Sequence, residues 1–371
     1  MLEKTTYTPG LDGIIATETK LSYLDVDAEE IVLRGYELIE LAKNKKYLDL
    51  VQLLLHGTLP NDEQRSSLEL EIKKDYDLPA ELFSLFNKLP KETHPMDALR
   101  TGISALSGYE KNLDERREIE INKTALKLLA QIPNIVANSY HILRDEAVVE
   151  PKQELPYSTN FLYMITGKEP TQAEADYFDQ SLMVYSEHEM PNSTFTARVI
   201  ASTNADIYGA LTGAVSSLKG NLHGGANEAV MHMLLEGETI DGFRHLLYEK
   251  LNNKEKVMGF GHRVYMKKMD PRAALMKEAL RELSADRKCE KLFEMCEAGE
   301  QLMKEEKSLY PNLDYYAAPV YYLLGIPIDL YTPIFFAART LGLCAHVSEQ
   351  YANNKLFRPR VLYTGPRGLH P

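Results

Sequence analysis

The chain has 371 residues, 44% hydrophobic and 26% charged, enough for two or three domains whose cores need no staples. Its formal net charge of −12 argues against nucleic acid as the main partner, because phosphate binding calls for net or local positive charge. Cys289, Cys296 and Cys344 form no CxxC pair and no disulfide framework, which points to a reducing compartment.

The first residues, Met1-Leu2-Glu3-Lys4-Thr5-Thr6-Tyr7, lack the apolar stretch and cleavage site of a signal peptide. No apolar run reaches the length of a membrane span, so a cytoplasmic protein is expected. Residues 8–35 are the least helical, with strand candidates at 11–19 and at Ile31-Val32-Leu33. From Tyr36 onward helices dominate. Tyr47, Leu48, Val51, Leu54 and Leu55 recur at helical spacing and stop at Gly57. Asn61 is the expected cap of the next helix, and His94-Pro95-Met96-Asp97 opens another that runs to Gly108. Residues 114–144 read as one long helical stretch that Pro133 must kink or split. Thr171-Gln172-Ala173-Glu174 is a capping box, with Phe178, Leu182 and Tyr185 marking the apolar face behind it. Residues 192–205 and 206–218 form two helices rich in small residues, suited to close helix contact in the core or between subunits. Cys289 and Cys296, seven apart, are expected on one packed helix face. A last helix is expected over 335–351, after a segment punctuated by Gly325, Pro327 and Pro333. No repeat, linker or low-complexity tract marks a domain boundary.

Three blocks carry chemistry. Leu222-His223-Gly224-Gly225-Ala226-Asn227-Glu228 sets a histidine against glycines before a helix start, where backbone approaches a ligand closely and free N–H groups are available. A turn histidine is the plainer alternative. Gly259-Phe260-Gly261-His262-Arg263 follows no βαβ pattern, so it is not a dinucleotide fingerprint. With Lys256 and Asp270-Pro271-Arg272 nearby, it reads as a loop gripping an anionic substrate. Asp314 precedes a mostly apolar run. It is either a helix cap or a carboxylate whose pKa is raised by desolvation, as a general base requires. Glu187-His188-Glu189 is not HExxH, and adjacent residues do not share a helix face, so no metal site is expected. Arg339 interrupts an apolar helix start and is costly to bury without an acid or an anionic ligand. Arg358-Pro359-Arg360 is either functional or a solvated tail.

Together these blocks resemble the citrate synthase family. His188 in Ser186-Glu187-His188-Glu189, His223, His262, Arg272, Asp314 in Asn312-Leu313-Asp314-Tyr315, Arg339 and Arg358 match in order across nearly the whole chain. The form is the short bacterial and archaeal one, and Tyr315-Tyr316-Ala317-Ala318-Pro319-Val320-Tyr321 is most similar to its 2-methylcitrate synthase branch. One departure is visible: Gly342 is followed by Leu343 where many relatives carry tryptophan, which reads as a packing change.

The resemblance implies a mainly α, two-domain fold with a small N-terminal β element. Residues 1–225 and 320–371 would form the large domain and 226–319 a small, CoA-binding one. It implies a homodimer whose partner contributes one arginine. Oxaloacetate and an acyl-CoA, either propionyl-CoA or acetyl-CoA, would be condensed and the thioester hydrolysed. In that reaction Asp314 is the base, His223 the hydrogen-bond donor to the thioester oxygen and His262 the acid. His188, Arg272, Arg339 and Arg358 would hold oxaloacetate. Lys256, Val257, Met258, Gly259, Phe260 and Gly261 would meet CoA, and neither metal nor cofactor would be needed.

Overall fold

The computed structural model describes residues 7–25, 28, 30–261 and 268–370. An antiparallel sheet comes first, formed by β1 (Ser22–Asp25), β2 (Glu30–Leu33) and β3 (Tyr36–Glu37) in that order. Ser22 pairs with Leu33, and Val32 with Glu37. The strand expected at 31–33 is therefore β2, but 11–19 is not a strand. Pro9–Leu11 is a single 3-10 turn, and Ile15 is 91% exposed, so this β-branched stretch has no face to bury. β1 takes its place, with Ser22 and Leu24 turned inward and Tyr23 outward.

Helices follow in series. The first eight are α1 (Leu38–Asn44), α2 (Tyr47–His56), α3 (Asp62–Lys73), α4 (Ala80–Asn87), α5 (Pro95–Leu106), α6 (Glu118–Leu143), α7 (Tyr157–Thr166) and α8 (Gln172–Ser186). They continue as α9 (Asn192–Ala201), α10 (Ile207–Lys219), α11 (Ala226–Gly237), α12 (Ile240–Asn252), α13 (Pro271–Asp286), α14 (Glu290–Lys307), α15 (Leu313–Leu323) and α16 (Tyr331–Ala352). Local signals set many of the ends. Gly57 closes α2 in the left-handed region, Asn61 and Gln64 form a reciprocal capping box on α3, and Thr171 with Glu174 does the same on α8.

Four features differ from the sequence expectation. Pro133 does not split α6, which runs unbroken through it. A proline there leaves the carbonyl of Leu129 without its helical partner. The Tyr157 hydroxyl donates to that carbonyl at 2.9 Å, so the defect is satisfied from α7. Helix α9 stops at Ala201, ahead of a left-handed Asn204. Helix α16 begins at Tyr331 because Pro333 sits in the first turn, where no intrahelical N–H is needed. Cys289 and Cys296 do not share a packed face: Cys289 is the exposed N-cap of α14, and only Cys296 is buried.

Helix α16 is the hub. It packs against α2, α5, α6 and α8–α10, and almost every residue from Tyr331 to Ser348 is buried, Leu343 among them. Helices α11–α15 pack mainly on one another and meet the rest through α8, α16 and α1. Among the described residues, no helix is long and apolar enough to cross a membrane.

Candidate active site

His223 sits in the turn between α10 and α11. The carbonyl of Gly220 accepts from the N–H groups of both His223 (2.9 Å) and Gly224 (3.0 Å). The turn must pass close to α10, since a Cβ on Gly224 would lie 2.1 Å from the Leu218 carbonyl oxygen. His223 Nε2 accepts from the backbone N–H of Ser193 at 3.1 Å, with Ser193 Oγ 2.8 Å away. A backbone N–H can only donate, so Nε2 carries the lone pair and the neutral ring holds its proton on Nδ1. Ser193 lies in the first turn of α9, whose positive helix end also disfavours an imidazolium. Burial, then the nearby Arg339 charge, lowers the His223 pKa to about 4.

Asp314 lies in the first turn of α15. The cap is Asn312, whose Oδ1 accepts from the Asp314 N–H at 3.1 Å, so the Asp314 carboxylate is not used for capping. Its Oδ1 accepts from the Tyr185 hydroxyl at 2.7 Å. Burial raises the Asp314 pKa and Asp270 adds to the rise, while the Tyr185 hydrogen bond and the charges of Arg272 and Arg339 oppose it.

Two buried arginines stand near these groups. Arg339, on α16, has the partner type that the sequence did not suggest: Nε donates to the backbone carbonyl of Tyr185 at 2.6 Å, and the guanidinium lies 4.9 Å from the Phe335 ring. Burial lowers its pKa to about 10, against an opposing pull from Glu187. Arg272, in the first turn of α13, makes a two-pronged contact with the Asp270 carboxylate at 3.1 and 2.7 Å. His188 is half-buried in the loop after α8.

The segment 256–261 is fastened to the approach to α15. Gly261 N–H donates to Tyr310 O and Asn312 N–H to Gly259 O, both at 2.9 Å, and Asn312 Nδ2 donates to Gly261 O at 3.1 Å. Gly259 has φ +86°, and a Cβ there would sit 2.6 Å from Val230 and 2.9 Å from the Tyr315 ring. The side chains of Val257 and Phe260 are buried, so this loop offers backbone, Met258 and the exposed Lys256 to a ligand. His262 lies outside the described residues. Arg358 is exposed on the rim of a cleft of about 1520 Å³ that Thr17, Lys20, Arg198 and Glu349 also line and that neither Arg272 nor Arg339 reaches. Among the described residues, no group of three His, Cys, Asp or Glu could hold a metal ion.

Residues 10–360 match the family described as "Citrate synthase, C-terminal domain". This chain belongs to the citrate synthase family. It is 63% identical to a citrate synthase of Heyndrickxia coagulans, over 100% of this chain and 99% of that protein. It is 61% identical to a citrate/2-methylcitrate synthase of Bacillus subtilis, over 99% of each. Its fold superposes, with a TM-score of 0.91 and 29% identity, on a citrate synthase of Thermoplasma acidophilum solved as a ternary complex with carboxymethyl coenzyme A and oxaloacetate. That match covers 98% of this chain and 97% of the other. The chain is therefore an enzyme of the acyltransferase type, as its histidine and aspartate blocks suggested.

The sequence assigned no role to several residues of this candidate site. Ser193 and Tyr185 orient His223 and Asp314. Behind Arg339 runs a buried chain in which Glu187 Oε1 lies 3.2 Å from His346 Nε2, and His346 Nδ1 lies 2.9 Å from Arg198. Burial pushes the Glu187 carboxyl up, but His346, Arg339 and Ser22 outweigh it and hold the pKa below the usual value. Only Asn312 had a local signal, as a cap residue before a helical run.

Proposed function

We propose that the chain condenses a short acyl-CoA with oxaloacetate and hydrolyses the thioester, with propionyl-CoA giving 2-methylcitrate and acetyl-CoA giving citrate. The observation that carries this reading is the pairing of a neutral histidine, proton on Nδ1, with a carboxylate of raised pKa beside two buried arginines. Asp314 takes a proton from the acyl α-carbon. His223 Nδ1–H stabilises the oxygen of the resulting enol, which a thioester α-proton needs because it is a weak acid. The enol carbon attacks the ketone carbon of oxaloacetate, and His262 supplies the proton to the new alkoxide. Water then releases CoA. Arg272, Arg339, Arg358 and His188 bind the oxaloacetate carboxylates, and 256–261 meets CoA.

Residues 226–319 act in this reading as a small domain that moves against 1–225 and 320–371. The mutual packing of α11–α15 supports it, and the first boundary coincides with the start of α11. Residue 319 falls inside α15, so Asp314 and the end of its own helix bridge the two bodies.

The assay is release of free CoA thiol with oxaloacetate and each acyl-CoA. Release should need both substrates and survive chelator and dialysis. Absence of release with either acyl-CoA would overturn the reading, and restoration by a divalent ion would overturn its metal-free chemistry. One methylene is worth ~1–3 kcal/mol in an apolar pocket, so kcat/KM for propionyl-CoA should exceed that for acetyl-CoA by at most about 200-fold. The reverse ratio favours a citrate synthase proper.

The position of Arg358, on a cleft that neither Arg272 nor Arg339 reaches, fits service to a partner's site in a homodimer. Coexpressed Arg358→Ala and Asp314→Asn subunits, each inactive alone, should then recover activity, because one site in each mixed dimer holds both native groups. Mixed dimers that form and stay inactive would refute action across the interface.

A further inference from the structure

We propose that Tyr185 is the positioning residue for the base: its hydroxyl fixes one oxygen of Asp314, and its backbone carbonyl fixes Arg339. The inference rests on the reading of Asp314 as the proton acceptor.

Tyr185 lies in the last turn of α8 and is only 1% exposed. One residue makes both contacts, the hydroxyl to Asp314 Oδ1 at 2.7 Å and the carbonyl from Arg339 Nε at 2.6 Å. The ring is locked between them, with its centroid 4.7 Å from that of Phe335, the same ring that Arg339 covers. Its phenol pKa is held well above the usual value by burial and then by the Asp314 charge, so the group remains a donor at any working pH.

A fixed donor on Oδ1 does two things for a base. It stabilises the carboxylate more than the carboxylic acid, because only the charged form accepts strongly. It also leaves Oδ2, which has no hydrogen-bond partner among the described residues, as the oxygen that takes the proton. Among the described residues, the other charged groups that act on Asp314 are Asp270 and Arg272 at the start of α13 and Arg339 on α16. They act through space, and Asp270 opposes the two arginines. Among the described residues, Tyr185 supplies the one hydrogen bond to the carboxylate. It also ties the position of the base to the arginine assigned to the other substrate.

The test is Tyr185→Phe in the full-length enzyme. It keeps the ring, the helix and the carbonyl on Arg339 and removes the hydroxyl. The expected result is a kcat roughly 10- to 100-fold lower, because a carboxylate released from its fixed donor loses the alignment of Oδ2, and a misplacement of ~1 Å costs up to about 100-fold. KM for oxaloacetate should stay near wild type, because the hold on Arg339 is a main-chain one. The acid limb of the kcat–pH profile should move to higher pH, since burial then acts on Asp314 with less opposition. Incorporating 3-fluorotyrosine at 185, a near-isosteric and stronger donor, should move the limb the other way, and it serves as the test if the phenylalanine protein folds poorly. An unmoved limb in these variants, or equal losses in kcat and oxaloacetate affinity, would overturn the proposal. Asp314→Asn separates the two levels. If it turns over normally, the reading of the base fails; if it is inactive while Tyr185→Phe is normal, only the role of Tyr185 fails.

Discussion

Asp314→Asn should lower kcat by about 10²- to 10⁴-fold, the usual contribution of a general base, while the dissociation constant for oxaloacetate stays near the wild-type value. The amide keeps the shape of the side chain. It can still accept from the Tyr185 hydroxyl at 2.7 Å through its remaining oxygen, so the site is not disassembled. What disappears is an atom able to take a proton. The native carboxyl is tuned for that task, because burial raises its affinity for a proton above that of an exposed aspartate. The sign for pH follows. The base must be ionised to act, so turnover falls as pH drops through its raised pKa, and this limb should be missing from the residual activity of Asp314→Asn. Stopped-flow or steady-state thiol release gives kcat, and calorimetric titration gives the oxaloacetate constant. Loss of oxaloacetate affinity with kcat retained would make Asp314 a binding residue.

The order in which these features can be read from sequence follows the range of the interactions that set them. Caps and stops act over a few residues, and Gly57, Asn61 and Thr171 were readable for that reason. His223 was readable because Gly224 and Gly225 are needed by the turn itself. Tyr185 was not, since as the last apolar position of α8 it looks like core, and it is core. Its hydroxyl finds Asp314 from 129 residues away in sequence, and no local pattern encodes that distance. Arg339 shows the same limit. Burial of a guanidinium demands a partner, and an acid or a ligand is the natural expectation. The partner proved to be a main-chain carbonyl, which any residue type could have supplied. Pro133 erred in the opposite direction: the local rule for a helix break is sound, but Tyr157, 28 residues along the chain from the orphaned Leu129 carbonyl, removes the penalty that the rule counts. The strand expected at 11–19 failed because β-branched residues favour a strand only where a face is buried, and Ile15 has none.

His223→Ala should cost about 10²- to 10³-fold in kcat, the range found when one donor to a developing oxyanion is removed. The geometry explains why the donor is a neutral ring. Ser193 N–H occupies Nε2, so the proton sits on Nδ1, and a pKa near 4 keeps it the only ring proton at assay pH. A neutral donor matches the weak acidity of an enol better than an imidazolium, which would surrender its proton outright. Ser193→Ala removes the hydroxyl but keeps the N–H that fixes the tautomer, so its kcat should fall far less. The two variants also differ in stability. A histidine whose pKa drops from 6.5 unfolded to about 4 folded binds its proton more readily when unfolded. The native protein is therefore progressively destabilised as pH falls from about 6.5 to 4, and His223→Ala should lose that part of the acid sensitivity while Ser193→Ala keeps most of it. Exchange of the acyl-CoA α-proton with deuterated solvent isolates the enol step from later ones. It should slow in His223→Ala by a factor comparable to the loss in kcat. Exchange at the native rate in a variant with impaired turnover would place His223 after enolisation and remove it from the role assigned here.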